Sequence, residues 1–327
     1  MSSLGPESLD IDCEQEVQRI SRWMVDAVAQ QLHKRGVIIA LSGGVDSAVC
    51  AALAVRALGA KKVFGLLLPE YESSVSSTDL GGQVARQLGI SHQLENIGPT
   101  LEAIGCYRWR DDAIRAIFPD YGKHWKSKIT IDGGGQGRIN FFNLVLQSPD
   151  GRILEKRLAI REYLQIVAAT NFKQRIRKTV EYFHADRLNY AVIGTPNRLE
   201  YDQGFFVKNG DGAADIKPIA HLFKTQVYAL ARHLCLPDMV CTAVPTTDTY
   251  SMTQGQDEFY FTLPYEQMDL ALWAYNHHMP AAELASALRV DEAQARFIYA
   301  DIAAKRKATH YLHARPMLVE PVAEVSV

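Results

Sequence analysis

Residues 37–49 read VIIALSGGVDSAV, and this stretch decides the fold. Residues 37–41 are a continuous apolar run rich in β-branched side chains, residues 42–46 are small and mostly polar, and apolar periodicity resumes at Ser47. That order predicts a strand, a tight loop and a helix. Gly43 and Gly44 let the backbone turn sharply and present N–H groups to an anion. Ser42 and Ser47 add hydroxyl donors, and the helix offers the positive end of its dipole. The loop therefore suits phosphate. It lacks the Lys-Ser/Thr pair of a Walker loop, and it is not GxGxxG.

Outward from this stretch, the spacing of Val17, Ile20, Trp23, Met24, Ala27, Val28 and Leu32 predicts a leading helix over about 13–34. The first crossover helix is expected over 47–58, ended by Gly59, and a second strand over 63–68, stopped by Pro69. Ser76 or Ser77 is expected to cap a helix to Leu88, and 91–97 reads as a third strand. Alternating strands and helices predict an α/β protein with a doubly wound parallel sheet, ligands binding beyond the carboxyl ends of the strands. From 98 to 160 the pattern fails. Two alternating segments, 128–132 and 139–147, and a turn at Ser148–Gly151 leading into 152–158, predict a β-hairpin insertion. The insertion spans about 107–160, inside one domain taken as 1–318, with a disordered tail over 319–327. The cluster Gly133, Gly134, Gly135 and Gly137 has no strand-to-helix context and reads as a loop rather than a phosphate clasp. The mixture Tyr107, Arg108, Trp109, Arg110 and His124, Trp125, Lys126 reads either as a stacking surface for a base or as ordinary half-buried surface. A helical region follows over 161–183, interrupted near Thr170 and Asn171, then a strand over 190–194, irregular chain, and a helix over 223–234. Helices over 265–277, 281–288 and 291–309 close the chain.

At 327 residues, 47% hydrophobic and 22% charged, the chain can bury a large core. A formal net charge of −2 gives no general attraction to nucleic acid or an anionic membrane, so affinity for polyphosphate must be local. No apolar run approaches the ~20 residues of a membrane span. The polar, acidic start MSSLGPESLDIDCEQE lacks the features of a secretion signal, which points to the cytoplasm. Five scattered cysteines without a CxxC pair suggest neither a disulfide framework nor a zinc site.

SGGVDS at 42–47 resembles the pyrophosphate loop of the ATP pyrophosphatase superfamily, with the adenine nucleotide alpha-hydrolase-like fold, whose members adenylate a substrate and release pyrophosphate. A second stretch, IGTPNRLEYDQGFFVKNGDGAAD at 193–215, narrows this. Gly-Thr at a strand end, a Glu five residues later, then Gly-Phe-Phe, a Lys and Gly-Asp-Gly-x-Ala-Asp resemble the NAD synthetase family, ammonia-dependent type. Thr170 to Arg177 resemble its Gly-Asn-x-x-Ala-Arg-x-Arg helix start. Ile216 to Ile219 resemble its Asp-Ile-x-Pro-Ile, and Phe223 to Val227 its Tyr-Lys-Thr-Gln-Val. Pro245 and Thr246 fall at its Pro-Ser/Thr pair, and Gln256, Asp257 and Glu258 at its Gln-x-Asp-Glu.

The resemblance implies an ATP-dependent ligase that adenylates the carboxylate of nicotinic acid adenine dinucleotide, after which ammonia displaces AMP to give NAD. Leu41, Ser42, Gly43, Gly44, Val45 and Ser47 would hold the pyrophosphate, with Lys224 and Thr246, and Thr195 would lie near the ATP. Asp46 and Glu200 would ligate Mg²⁺. Asp46, Lys224, Thr246 and Asp211 form the implied catalytic set, Asp211 taking the proton of ammonium. Asn171, Arg175, Lys208 and Asp215 would grip the dinucleotide, with Phe172, Phe205 or Phe206 against its pyridine ring. The family is homodimeric, so a homodimer is implied. The residues before Val37 are too few for a glutaminase region, which implies free ammonia or ammonia from a separate glutaminase subunit.

Three departures stand out. The family's closing His-Lys-Arg-x-x-Pro segment reads ATHYLHARPM here, with His310, or His313 and Arg315, as stand-ins. Thr170 replaces a Gly, and the excursion at 107–160 is longer than the family's connection. The alternative is therefore a related adenylating amide or C–N ligase acting on another carboxylate. An ATP-binding homologue without turnover fits poorly with the presence of Asp46, Glu200 and Lys224.

Overall fold

A computed structural model describes residues 4–132, 141–243, 250–252, 260 and 263–325. Four parallel strands, β1 (Val37–Ala40), β2 (Val63–Leu67), β3 (Ser91–Leu94) and β7 (Ala191–Val192), lie in the order β3-β2-β1-β7. The register pairs Val37 with Val63 on one side and with Ala191 on the other. Alternation along β1 sends Val37 and Ile39 into one core and Ile38 into another. The first core is closed by α1 (Cys13–Asp26), α2 (Val45–Leu58) and α8 (Lys224–His233); the second by α4 (Gly98–Ile104), α5 (Cys106–Arg115) and α6 (Ile160–Leu188). Both faces of the sheet are covered, as expected for a doubly wound sheet.

Several boundaries differ from the sequence expectation for local reasons. Helix α2 begins at Val45, with Gly44 as its N-cap, so Asp46 sits in its first turn. Helix α3 (Val75–Gln87) is capped by Ser74, whose hydroxyl accepts from Ser77 N at 3.0 Å, rather than by Ser76 or Ser77. Helix α6 runs unbroken through Thr170 and Asn171, because the Thr170 hydroxyl donates to Ile166 O at 3.0 Å and makes no rival turn. A short α7 (Arg198–Gln203) forms where irregular chain was expected, started by a capping box between Asn197 and Glu200. The fourth strand is two residues long, extended by a parallel bridge from Ile193 to Ile216.

The expected hairpin is part of a three-stranded antiparallel sheet of β4 (Lys126–Asp132), β5 (Phe141–Gln147) and β6 (Ile153–Arg157). Ile129, Leu144 and Leu146 are on its buried side, in a core shared with Ile114, Phe118 and Ile166. A further cluster packs α7 against α10 (Tyr265–Asn276), α11 (Ala281–Leu288) and α12 (Glu292–His313). The aromatic-basic mixture is engaged within the chain. Tyr107 donates to Glu70 at 2.7 Å, Arg110 meets Glu72 at 2.5 Å, and Trp125 packs edge-on against Tyr121. The glycine cluster at 133–137 lies outside the described residues.

Candidate active site

The loop after β1 is fixed by its own small side chains. Ser47 Oγ donates to Gly44 O at 3.0 Å and accepts from Ser42 N at 3.3 Å, while Gly44 N donates to Ser42 Oγ at 3.3 Å. Gly43 has φ +82°, and a Cβ there would lie 2.3 Å from Ser77 O, so the loop is pressed against the start of α3. Only glycine tolerates both the conformation and the contact.

Asp46 is the hub of the charged groups. Its Oδ2 pairs with Lys224 Nζ, and its Oδ1 accepts from Asn197 Nδ2 at 3.2 Å. Asn197 in turn donates its backbone N–H to Glu200 Oε2 at 3.2 Å and accepts from Glu200 N at 3.1 Å. The Lys224 side chain is only 4% exposed, and the carboxylates of Asp46 and Glu200 outweigh its desolvation, raising its pKa above the usual lysine value. Its helix is anchored by buried Asp269 of α10, whose Oδ2 accepts from Thr225 N at 2.8 Å and Thr225 Oγ1 at 3.0 Å. Burial pushes the Asp269 carboxyl up to about 7.

These groups open onto one cleft of about 780 Å³. It is lined by Leu41, Ser42, Gly43, Gly44, Val45, Asp46, Ser47, Thr195, Glu200 and Lys224, so the predicted nucleotide-binding residues within the described chain are brought together. Thr246 lies outside the described residues. Of the predicted substrate and ammonia residues, Asn171, Phe205, Phe206 and Asp211 also line the cleft. Burial raises the Asp211 pKa, and its Oδ1 accepts from Val207 N at 2.7 Å, closing the local turn.

The other predicted substrate residues are placed off the cleft wall. Arg175 Nε donates to Lys208 O at 3.2 Å, and Lys208 Nζ donates to Tyr311 O at 2.7 Å, tying the end of α12 to the body. Asp215 accepts from Val192 N at 2.7 Å and so holds β7. Phe172 packs edge-on against Trp109. His310 is an exposed residue in the last turn of α12, whereas the His313 ring meets Tyr201 and Phe206.

Three features of the site escaped sequence reasoning. Asn197, 1% exposed, links Asp46 to Glu200, and its signal was the Asn-x-x-Glu spacing of a capping box. One face of α6 supplies Tyr163, Val167, Thr170, Gln174, Arg177 and Glu181, spaced by fours and threes. On that face Lys178 Nζ donates to Glu181 Oε2 at 2.7 Å, both nearly buried. Arg177 donates to Leu68 O at 3.2 Å and Ser73 Oγ at 3.4 Å, bracing the end of β2.

The Ser42–Ser47 loop at the end of β1, in a parallel sheet ordered β3-β2-β1-β7 with a cleft beyond the strand ends, defines an α/β protein of the adenine nucleotide alpha-hydrolase-like class. Among solved structures the chain is similar to the NMN synthetase of Francisella tularensis. The TM-score is 0.63 at 23% identity, covering 96% of this chain and all of that one, a likeness of fold. A family model described as NAD synthase matches residues 16–114 and 148–311. The NH(3)-dependent NAD(+) synthetase of Rhizobium meliloti is 55% identical over 320 residues, 98% of this chain and 96% of that protein. That of Thermotoga maritima is 36% identical, covering 74% of this chain and 81% of that protein. The chain belongs to the NAD synthase family.

Proposed function

We propose that this chain is an ammonia-dependent ligase that amidates nicotinic acid adenine dinucleotide to NAD, converting ATP to AMP and pyrophosphate. The observation that carries the reading is the Asp46–Lys224 pair beside the Ser42–Ser47 loop, in a chain 55% identical to a relative named for this reaction.

An unactivated carboxylate is a poor acyl donor. Attack of its oxygen on the α-phosphorus of ATP gives an acyl-adenylate and expels pyrophosphate. The backbone N–H groups of 42–45, the hydroxyls of Ser42 and Ser47 and the start of α2 hold that leaving group, and Lys224 offsets its charge. Thr195 and Leu41 bound the nucleotide. Asp46 and Glu200 are hard oxygen donors on the same wall, joined through Asn197, a set that fits Mg²⁺. The ion, when bound, neutralises phosphate charge. In the second half-reaction ammonium enters as the cation. Asp211 accepts its proton, ammonia attacks the acyl carbon, the attacking nitrogen sheds a second proton to solvent, and AMP leaves with the electron pair of the broken C–O bond. The upward shift of the Asp211 carboxyl makes it a stronger base than an exposed aspartate.

The substrate roles of Asn171 and Phe205 belong to this reading, as do those of Arg175, Lys208, Asp215 and His310 as residues completed by a second copy of the chain in a homodimer. Exposed Ile160, Leu164 and Phe183 on α6 supply apolar surface for such a contact. We place the enzyme in the cytoplasm, consistent with five free cysteines and with no described helix long and apolar enough to cross a membrane. Purified protein given Mg-ATP, ammonium and the acid dinucleotide is expected to form NAD. Turnover with a different carboxylate and none with the dinucleotide would reject the reading.

A further inference from the structure

Lys224 is held at two ends, and the chemistry proposed above accounts for one of them. Its Nζ pairs with Asp46. Its backbone opens α8, where a lysine in the first turn works against the positive end of the helix dipole. The local sequence does little to relieve this. Phe223, at the N-cap position, has no side-chain acceptor, and the first turn carries no acidic residue. Gln226 Oε1 accepts from Phe223 N at 2.9 Å, which satisfies a donor ahead of the helix rather than one within it.

The missing acceptor comes from α10. Asp269 is fully buried, and its Oδ2 takes both the Thr225 backbone N–H and the Thr225 hydroxyl. Its Oδ1 has no hydrogen-bond partner among the described residues. A buried carboxylate with one idle oxygen is a costly way to cap a helix, since a serine at 223 would cap it locally with no buried charge. What the carboxylate adds is a fixed point in another element. Phe223 belongs to the core of α10, α11 and α12, whereas Val227 and Tyr228 belong to the core shared by β1, α1 and α2. Asp269 lies between Met268 and Leu270 of the former. Lys224 therefore stands at the seam of two cores, and the bonds from Thr225 to Asp269 are a polar link across it.

We infer that Asp269 is a positioning residue for the activation step, fixing the first turn of α8 across this seam and so the place of Lys224 beside the Ser42–Ser47 loop. This rests on the function proposed above, in which Lys224 offsets the charge of the leaving pyrophosphate. Such stabilisation depends on preorganised geometry, and a misplacement of about 1 Å can cost on the order of 100-fold. Asp46 alone does not set that geometry, because the flexible lysine stem can keep the contact from a shifted backbone.

The test is titration calorimetry of the full-length protein with Mg-pyrophosphate, the product that Lys224 is proposed to hold. Asp269→Ala is expected to raise the dissociation constant about tenfold, the scale of one lost charge-assisted hydrogen bond, with unchanged stoichiometry. A fold defect would lower the stoichiometry instead. Asp269→Asn presents one oxygen to the same two donors and is expected to stay within about threefold of wild type. Lys224→Ala should itself weaken binding. Adding Asp269→Ala to it should cost less than about twofold, because the effect runs through Lys224. If Asp269→Ala does not fold, Thr225→Val removes the hydroxyl donor and keeps the backbone one. It must then raise the same constant, and only when Lys224 is present. An unchanged dissociation constant in these variants, or an equal loss in the Lys224→Ala background, overturns the proposal. Absence of pyrophosphate binding to the wild-type protein would instead reject the underlying reading of the site.

Discussion

At the residue scale the site depends on a few side chains whose removal has separable consequences. Asp46→Ala takes the partner from a buried lysine. Stranding a buried charge costs roughly 3–5 kcal/mol; Asp46 is 16% exposed and Glu200 remains near, so the expected loss is at or below the lower figure. Pyrophosphate release should cease while the variant still folds, checked by coupled pyrophosphate assay and urea melts. Normal release would remove Asp46 from the chemistry. Gly43→Ala meets both a positive φ and the Ser77 carbonyl, so it should cost at least about 1–2 kcal/mol and weaken ATP binding. An alanine variant with wild-type melting and KM would contradict the close approach. Asp269 gives a pH signature. Its folded pKa of about 7 exceeds the ordinary carboxylate value, so between about pH 4 and 7 the folded state binds more protons than the unfolded state. Its contribution to stability therefore falls as pH rises through that window and levels off above it. Asp269→Asn should flatten the slope of unfolding free energy between pH 5 and 7, and an unaltered slope would refute the assignment.

At the element scale the helix starts aim the chemistry, and their capping was only partly legible. The tight loop after β1 and α2 were readable because a β-branched run, two glycines and two serines leave few alternatives. Serines at 73, 74, 76 and 77 left the cap of α3 ambiguous, and Ser74 won it by reaching Ser77 N. Ser74→Ala should cost about 1 kcal/mol in a thermal or urea melt. Because Ser77 backs Gly43, it should also raise the KM for ATP; a stability loss without that rise would separate the cap from the loop. Helix α6 was read as two pieces because Thr and Asn are weak helix formers, yet tertiary packing overrides propensity across all 29 residues. Its polar and aromatic cleft face was present in the spacing 163, 167, 170, 174, 177 and 181. A low-contrast helix with partners on several sides hides such a face from a reading based on hydrophobic period alone.

For the whole molecule, a parallel sheet covered on both faces followed from alternating strands and helices, while the order of its strands and the placement of the inserted sheet over the cleft did not. That placement depends on contacts of Ile129, Leu144 and Leu146 with α5 and α6, which no local pattern encodes. Arg175, Lys208, Asp215 and His310 were expected in the site from resemblance, and within one chain they hold other segments together or stay exposed. In a homodimer a second copy would bring its surface to them; light scattering should give twice the chain mass of 36.5 kDa, and a monomer at assay concentration would count against it. The central claim is that the acid is activated by adenylation in this cleft. The most direct measurement uses dinucleotide labelled with ¹⁸O in its carboxylate, turned over with Mg-ATP and ammonium. Attack on the α-phosphorus predicts one labelled oxygen in each AMP and none in pyrophosphate. Label appearing in inorganic phosphate, with ADP as the nucleotide product, would contradict it.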